Sequence, residues 1–216
     1  VKHSRENNGA MTASMTAKEF ARTTGTSAET VERIGRYVEL LGKWQKKINL
    51  VGRETLQDVW RRHVLDSAQI ASHISKLHGK IADMGSGAGF PGMVLAIVTN
   101  KHIHLIESDA RKCAFLSEAA RVTEAPVTII NGRVESVTEI KFDVVIARAV
   151  APLNELIALA RPILEPGGCC FFFKGQRVND ELTEALKHWK MFVARIASVT
   201  DPGAVILKLE NIARNP

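Results

Sequence analysis

The sequence predicts an α/β protein: a mostly parallel sheet with helices on both faces, preceded by an all-helical region. Three observations carry this. Up to residue 79 the apolar residues recur at three- and four-residue steps; from residue 80 short apolar runs alternate with helical stretches; and a glycine-rich loop directly follows the first of those runs. The chain has 216 residues, 45% apolar and 24% charged, values that fit a folded domain and exclude general disorder. Three cysteines are too few for a disulfide scaffold. No apolar run is long enough to span a bilayer, and no secretory signal is visible at the start. The expected setting is cytoplasmic.

The elements follow in order. Residues 1–15 are polar and patternless and are expected to form a disordered arm, with Met11 or Met15 as candidate natural starts. Residues 16–79 form the helical region. Thr16-Ala-Lys-Glu19 fits a capping box that opens a short helix to about Thr24. Ser27 caps the next, whose stripe is Val31, Ile34, Val38, Leu41, Trp44 and Ile48. After a break at Asn49 to Arg53, a third helix is expected from Thr55, carrying Leu56, Val59, Trp60, Val64, Ser67, Ile70 and Ile74 and ending at Gly79. Residues 80–216 form the sheet domain. Strands are expected at Lys80–Met84, His102–Glu107, Val127–Ile130, Phe142–Ala147 and Cys169–Lys174. Helices are expected at Gly89–Val98, Asp109–Thr123, Leu153–Leu164 and Asn179–Trp189, with a single helical turn at Glu135–Thr138. Phe192–Val199 and Ala204–Leu209 read as a closing antiparallel hairpin turned at Asp201-Pro202-Gly203.

The net charge of +6 is uneven: residues 1–79 carry +5 and the remainder +1. Lys43, Lys46, Lys47, Arg53, Arg61 and Arg62 stand against only Glu54 and Asp58. Such a field attracts polyanions. A solvated helix face, an acidic protein or a membrane surface is compatible with the same charges.

The densest signal is Asp83-Met-Gly85-Ser-Gly87-Ala-Gly89-Phe-Pro91-Gly92, between the first strand and a helix. Glycines there let the backbone turn tightly and approach a ligand. Glu107 closes the second strand, 22 residues beyond Gly85, where a carboxylate can accept from ribose hydroxyls. Together these predict an adenosine-type ligand. Gly87-Ala-Gly89-Phe-Pro91-Gly92 satisfies the dinucleotide spacing, but the glycine that follows the strand is Gly85, so that register is late. Asp83 suits a cation better than a pyrophosphate, which favours S-adenosylmethionine.

At these residues the chain resembles the bacterial small-subunit ribosomal RNA methyltransferase G (glucose-inhibited division protein B) family. Leu41-Gly-Lys-Trp44 to Asn49-Leu-Val51, Arg62-His63-Val-Leu-Asp66-Ser67, Arg133-Val-Glu135, Ala147-Arg148-Ala149 and Lys174-Gly175 extend the likeness from about residue 30 to 180. The resemblance implies a seven-stranded, Rossmann-like S-adenosylmethionine-dependent methyltransferase sheet behind the helical region, and methylation of guanine N7 in 16S ribosomal RNA, with S-adenosylhomocysteine as product. By matching position, Gly85, Phe90, Val134, Glu135 and Arg148 would contact the cofactor, beside Asp83, Gly87 and Glu107. The hairpin lacks an Arg-His pair common in the family, which removes one basic contact expected from the tail.

Guanine N7 carries an in-plane lone pair and no proton, so the chemistry asks for alignment rather than a base, and no catalytic acid or base is assigned. Candidate RNA contacts are Lys46, Lys47, Arg61, Arg62, His63 and Lys174. His63 and Asp66, three apart on one helix, are expected to touch. Trp44 and Trp60 read as core residues. No metal site is expected, since no Cys-x-x-Cys or His cluster occurs. The expected partner is small-subunit ribosomal RNA or a ribosomal particle, with no membrane, and the chain is expected to be a monomer. Two alternatives are a non-enzymatic RNA-binding or ribosome assembly factor, and a dinucleotide-dependent oxidoreductase.

Overall fold

The structure, a computed structural model, describes residues 13–148 and 150–215. Most of the expected arm, with Met11, and Ala149 of the Ala-Arg-Ala stretch lie outside the described residues. Residues 13–15 are tied down rather than loose: the Met15 amide donates to Asp58 Oδ1 at 2.7 Å, and the Ala13 carbonyl accepts from Arg61 at 2.9 Å.

Helix α1 (Ala17–Thr24) opens on the expected capping box, and α2 (Ala28–Gln45) is capped by Ser27. The expected third helix is not continuous. It divides into α3 (Arg53–Leu56), a π-helical stretch (Trp60–Leu65), α4 (Asp66–Ala68) and α5 (Ala71–Ile74). Polar side chains compete here for main-chain carbonyls: Ser67 Oγ donates to the His63 carbonyl at 2.6 Å, and Gln69 Nε2 to the Asp66 carbonyl at 2.7 Å. This stretch brings the Arg62 carbonyl and the side chains of His63 and Asp66 to the end of β4.

The sheet comprises β1 (Ile81–Met84), β2 (Ile103–Glu107), β3 (Val127–Asn131), β4 (Phe142–Arg148), β5 (Leu164–Lys174), β6 (Trp189–Ala197) and β7 (Val205–Arg214). Their order across the sheet is β3-β2-β1-β4-β5-β7-β6. The pairings among the first five are parallel, and β7 runs antiparallel between β5 and β6. The chain reverses its direction of travel across the sheet after β3, which places β1 and β4 at the switch point where ligands bind in open α/β sheets. The connecting helices are α6 (Gly92–Thr99), α7 (Ala110–Thr123), α8 (Leu153–Ala160) and α9 (Val178–His188). Several boundaries differ from expectation: α6 begins at Gly92 rather than Gly89, α8 ends at Ala160 rather than Leu164, and β7 runs on to Arg214. Trp189 begins β6 instead of ending a helix, buried with its Nε1–H on Asn154 Oδ1 at 2.7 Å, and β5 starts five residues early, at Leu164.

Two cores flank the sheet. One lies under α8 and α9. The other joins α6 and α7 to the N-terminal helices, so that Phe20, Ile34, Leu41, Ile70 and Ile74 share one apolar cluster with Met93, Leu95, Phe115 and Leu116. Each such fully buried side chain contributes about 1.5–3 kcal/mol. The helical region is therefore built onto the sheet rather than strung beside it. All three cysteines are free and buried. Burial pushes the Cys169 thiol up to about 11 and raises those of Cys113 and Cys170 as well, so none is poised to react.

Candidate active site

A hollow of about 630 Å³ opens at the carboxyl ends of β1, β2, β4 and β5, a size suited to a small-molecule ligand. Its floor is the glycine loop. Gly85 leaves β1 at φ +70°, a left-handed conformation, and a Cβ there would come within 2.8 Å of Val150. The amides of Gly85 and Ser86 both donate to the Ile106 carbonyl at 3.0 Å, which fixes the loop to β2. From the helical side, the buried Tyr37 hydroxyl donates to the Ala88 carbonyl, and Tyr37 packs on Phe90 with ring centroids 5.3 Å apart.

Glu107 ends β2 with 8% of its surface exposed. Its Oε2 accepts from the Gly87 amide and its Oε1 from the Asp109 amide, each at 2.8 Å. Two main-chain donors thus hold the carboxylate in place, and each oxygen keeps a second lone pair for a hydroxyl.

Asp83 is placed differently from expectation. Side chains alternate along a strand, and in β1 that sends Asp83 beneath the loop, against α6, rather than into the hollow. Its Oδ2 accepts from the Gly92 amide at 3.0 Å, and its Oδ1 has no partner. Burial raises its carboxyl to about 7, against the lowering effects of the Gly92 hydrogen bond and the Arg148 charge. Asp83 braces the loop, and a direct cofactor contact is not its position here. Val134 and Glu135 also do not line the hollow: Val134 is buried in the core under α8, and Glu135 is exposed on a short 3₁₀ turn, Val134–Ser136.

The far wall is a cluster that joins three separate parts of the chain. Arg148, ending β4, donates through Nη1 to Asp66 Oδ2 at 2.9 Å and to the Arg62 carbonyl at 3.2 Å, and through Nη2 to His63 Nδ1 at 2.9 Å. Because Nδ1 accepts, the ring proton sits on Nε2, which donates to Thr55 Oγ1 at 2.8 Å. Burial, then the charges of Arg148 and Arg62, lower His63 to about 3, so it is neutral. Phe90 lies against both, with its centroid 4.8 Å from that of His63 and 5.2 Å from the Arg148 guanidinium carbon. Asp66 Oδ1 also accepts from Thr200 Oγ1 at 2.8 Å, and Gln69 Oε1 from the Val199 amide at 3.0 Å, which clasps the β6–β7 turn to the helical region. His63 and Asp66 therefore meet through Arg148, not directly.

The remaining cations divide. Lys46 and Lys47 are exposed just before Leu50 and Val51, which line the hollow, and Arg62 is exposed on its rim. Arg61 is engaged, with Nε on Asp58 Oδ2 at 2.9 Å. Lys174 is neither solvated nor free for phosphate: its ammonium is buried, 2.5 Å from Glu181 Oε2 and 3.0 Å from the Ala151 carbonyl. Thr55, Thr200 and Glu181 join the wall without a sequence signal of their own, since each is an isolated polar residue that only the fold brings to the hollow.

Among the described residues no cluster of His, Cys, Asp and Glu is arranged to hold a metal ion, and no helix is long and apolar enough to cross a membrane.

The sheet order, the glycine loop and the anchored acid of β2 define the chain as an S-adenosylmethionine-dependent methyltransferase. The residues fit that cofactor: Glu107 offers fixed acceptors for ribose hydroxyls, the loop has no Gly-Lys-Ser/Thr end of a phosphate-gripping P-loop, and Ser86 Oγ is turned away onto the Asp83 carbonyl. The family model for rRNA small subunit methyltransferase G matches residues 30–205, and the chain belongs to that family. A curated relative from Paramagnetospirillum magneticum, named ribosomal RNA small subunit methyltransferase G, is 50% identical over 93% of this chain and 98% of its own length. The fold is shared with a putative O-methyltransferase from Klebsiella pneumoniae, at a TM-score of 0.59 and 13% identity over 92% of this chain and 97% of that one. It is shared too with the glycopeptide N-methyltransferase MtfA, solved with S-adenosyl-L-homocysteine, at 0.55 and 12% over 68% and 89%.

Proposed function

We propose that this chain methylates N7 of one guanine in 16S ribosomal RNA, acting in the cytoplasm as a monomer on the RNA or on a ribosomal particle. The family match supports the RNA class. The observation that carries the choice of atom is the state of His63. It is the histidine of the hollow, it is neutral, and both its ring nitrogens are engaged. That imidazole offers no base to a nucleophile that had to lose a proton, whereas guanine N7 has none to lose.

S-adenosylmethionine supplies an electrophilic methyl group when bound. The protein's part is alignment. Glu107 holds the adenosine end through the ribose, the glycine loop sets the depth, and Phe90, packed between Tyr37 and the Arg148–His63 pair, keeps the wall in place. Arg148 is held back by Asp66, His63 and the Arg62 carbonyl, so its charge is partly offset where the guanine ring becomes cationic. Exposed Lys46, Lys47, Arg53 and Arg62 meet RNA phosphate, which positions without selecting a base.

The test is transfer of labelled methyl from S-adenosylmethionine to small subunits lacking the modification, followed by mapping of the label. Label at one guanine N7 is expected, and Glu107→Ala should weaken cofactor binding by about ten- to a hundredfold. Label on protein, or saturation by a nicotinamide or flavin dinucleotide instead, overturns the reading.

A further inference from the structure

We propose that Glu181 is the residue that selects guanine, reading its N1–H and N2–H edge, with Lys174 as the positioning residue that presents it; this rests on the guanine reading above. The hollow extends beyond the ends of β1 and β2 that hold the glycine loop and Glu107. It runs from Glu107 and Lys112 past Gly85 and Arg148 to Lys174, Glu181 and Thr200. If Glu107 marks one end, the base enters at the other.

Four carboxylates line this hollow: Asp66, Glu107, Glu181 and Asp201. Asp66 is spent on Arg148, Thr200 and Gln69, and Glu107 on the loop amides. Asp201 lies on the turn, accepting from the Gly203 amide at 2.8 Å within its own loop. Glu181, in the first turn of α9, is held through one oxygen only: Oε2 takes Lys174 at 2.5 Å and the Leu153 amide at 2.8 Å. Its Oε1 has no partner among the described residues and is not sealed from solvent. Glu181 stands between the base end of this hollow and a smaller one beside α8, and a carboxylate clamped there by one oxygen and open at the other is a preset acceptor. Val150, 39% exposed and packed over Gly85, offers an apolar surface for a ring plane beside it.

The chemistry suits the reaction. With N7 turned toward the methyl group, guanine presents N1–H and N2–H away from it, and both are donors. Adenine has an acceptor at N1 and no amino group at C2, so the same carboxylate disfavours it. Methylation leaves the ring cationic and strengthens N1–H and N2–H as donors, so the contact tightens toward the transition state. No covalent step involves Glu181.

Glu181→Gln keeps an oxygen for Lys174 and the Leu153 amide but turns donor N–H groups toward the base. The experiment compares wild type, Glu181→Gln and Asp201→Asn on target RNA carrying either guanine or inosine, which lacks the N2 amino group but keeps N7, at the methylated position. Wild type should be about ten- to a hundredfold slower on inosine. Glu181→Gln should be slow on both by a similar factor, with the inosine penalty erased and cofactor affinity by calorimetry retained, which separates reading from misfolding. Persistence of the penalty in Glu181→Gln, or its loss in Asp201→Asn, overturns the assignment while guanine methylation by the wild type leaves the functional reading standing. Failure of the wild type to label guanine at all removes both.

Discussion

Asp83 carries the sharpest consequence for stability at the residue scale. Folding raises its carboxyl from 3.8 to about 7. Between those values the folded chain keeps a proton that the unfolded chain has released, so Asp83 makes stability fall as pH rises across that window. Above it the deprotonated group is buried at full cost. Asp83→Asn should remove this slope, and in the cofactor-free protein at pH 8 it should raise stability on the order of 4 kcal/mol. Urea denaturation from pH 4 to 8 reads both effects; parallel curves for wild type and variant would refute the burial account. The orphaned Oδ1 was not legible in the sequence. The motif shows an acid before the glycines, but which face of β1 it takes depends on where α6 packs. Glu107 was legible because it closes the second strand at the spacing from the glycine loop that puts an acid beside a ribose. Lys174 looked like any strand-end lysine, and only the α9 acid across from it makes it a buried pair.

The glycine loop and the broken third helix differ in what they ask of the chain at the scale of elements. In Gly92, the first residue of α6, a Cβ would stand 2.5 Å from Leu105 Cδ2 and 2.6 Å from Asp83 Oδ2. Gly92→Ala must push α6 off the sheet, and a loss of about 1–3 kcal/mol is expected from thermal unfolding. The loop's role shows plainly in sequence, since glycine density after a strand has few other uses. The strands and α6 to α9 were equally plain, because apolar runs and 3.6-residue periodicity rarely coincide by chance. The interrupted helix was not. Its apolar stripe continues without a break from Leu56 to Ile74, and periodicity does not record the bonds of the Ser67 and Gln69 side chains to main-chain carbonyls that accompany the interruption. Trp189 was misread for a related reason: it continues the amphipathic pattern of α9, and the Asn154 partner that draws it into β6 is 35 residues away.

The shared core makes the helical region and the sheet domain one cooperative unit at the scale of the whole molecule. Trp44 and Trp60 report on the former and Trp189 on the latter. Tryptophan fluorescence and far-UV circular dichroism should therefore follow a single coincident transition in denaturant, and two separated transitions would contradict the continuity of the cluster. The charge asymmetry has its own outcome. Reversing Lys46, Lys47 and Arg53 to Glu should weaken RNA binding and flatten its dependence on salt by about one logarithmic unit per lost phosphate contact, while calorimetric cofactor affinity holds. Arg61 is left out because its guanidinium is already paired with Asp58. The π-helical stretch sets a further constraint on how this chain can vary. Each residue of an ordinary helix advances the side-chain direction by about 100°, and a π turn accommodates one residue more. Deleting a single residue between Trp60 and Leu65 would restore regular pitch and keep the flanking turns in phase, but it would displace His63 and the Arg62 carbonyl from the Arg148 guanidinium. The extra residue of that turn is thus what carries the wall of the hollow across to the end of β4, and its length and the imidazole at His63 are constrained together.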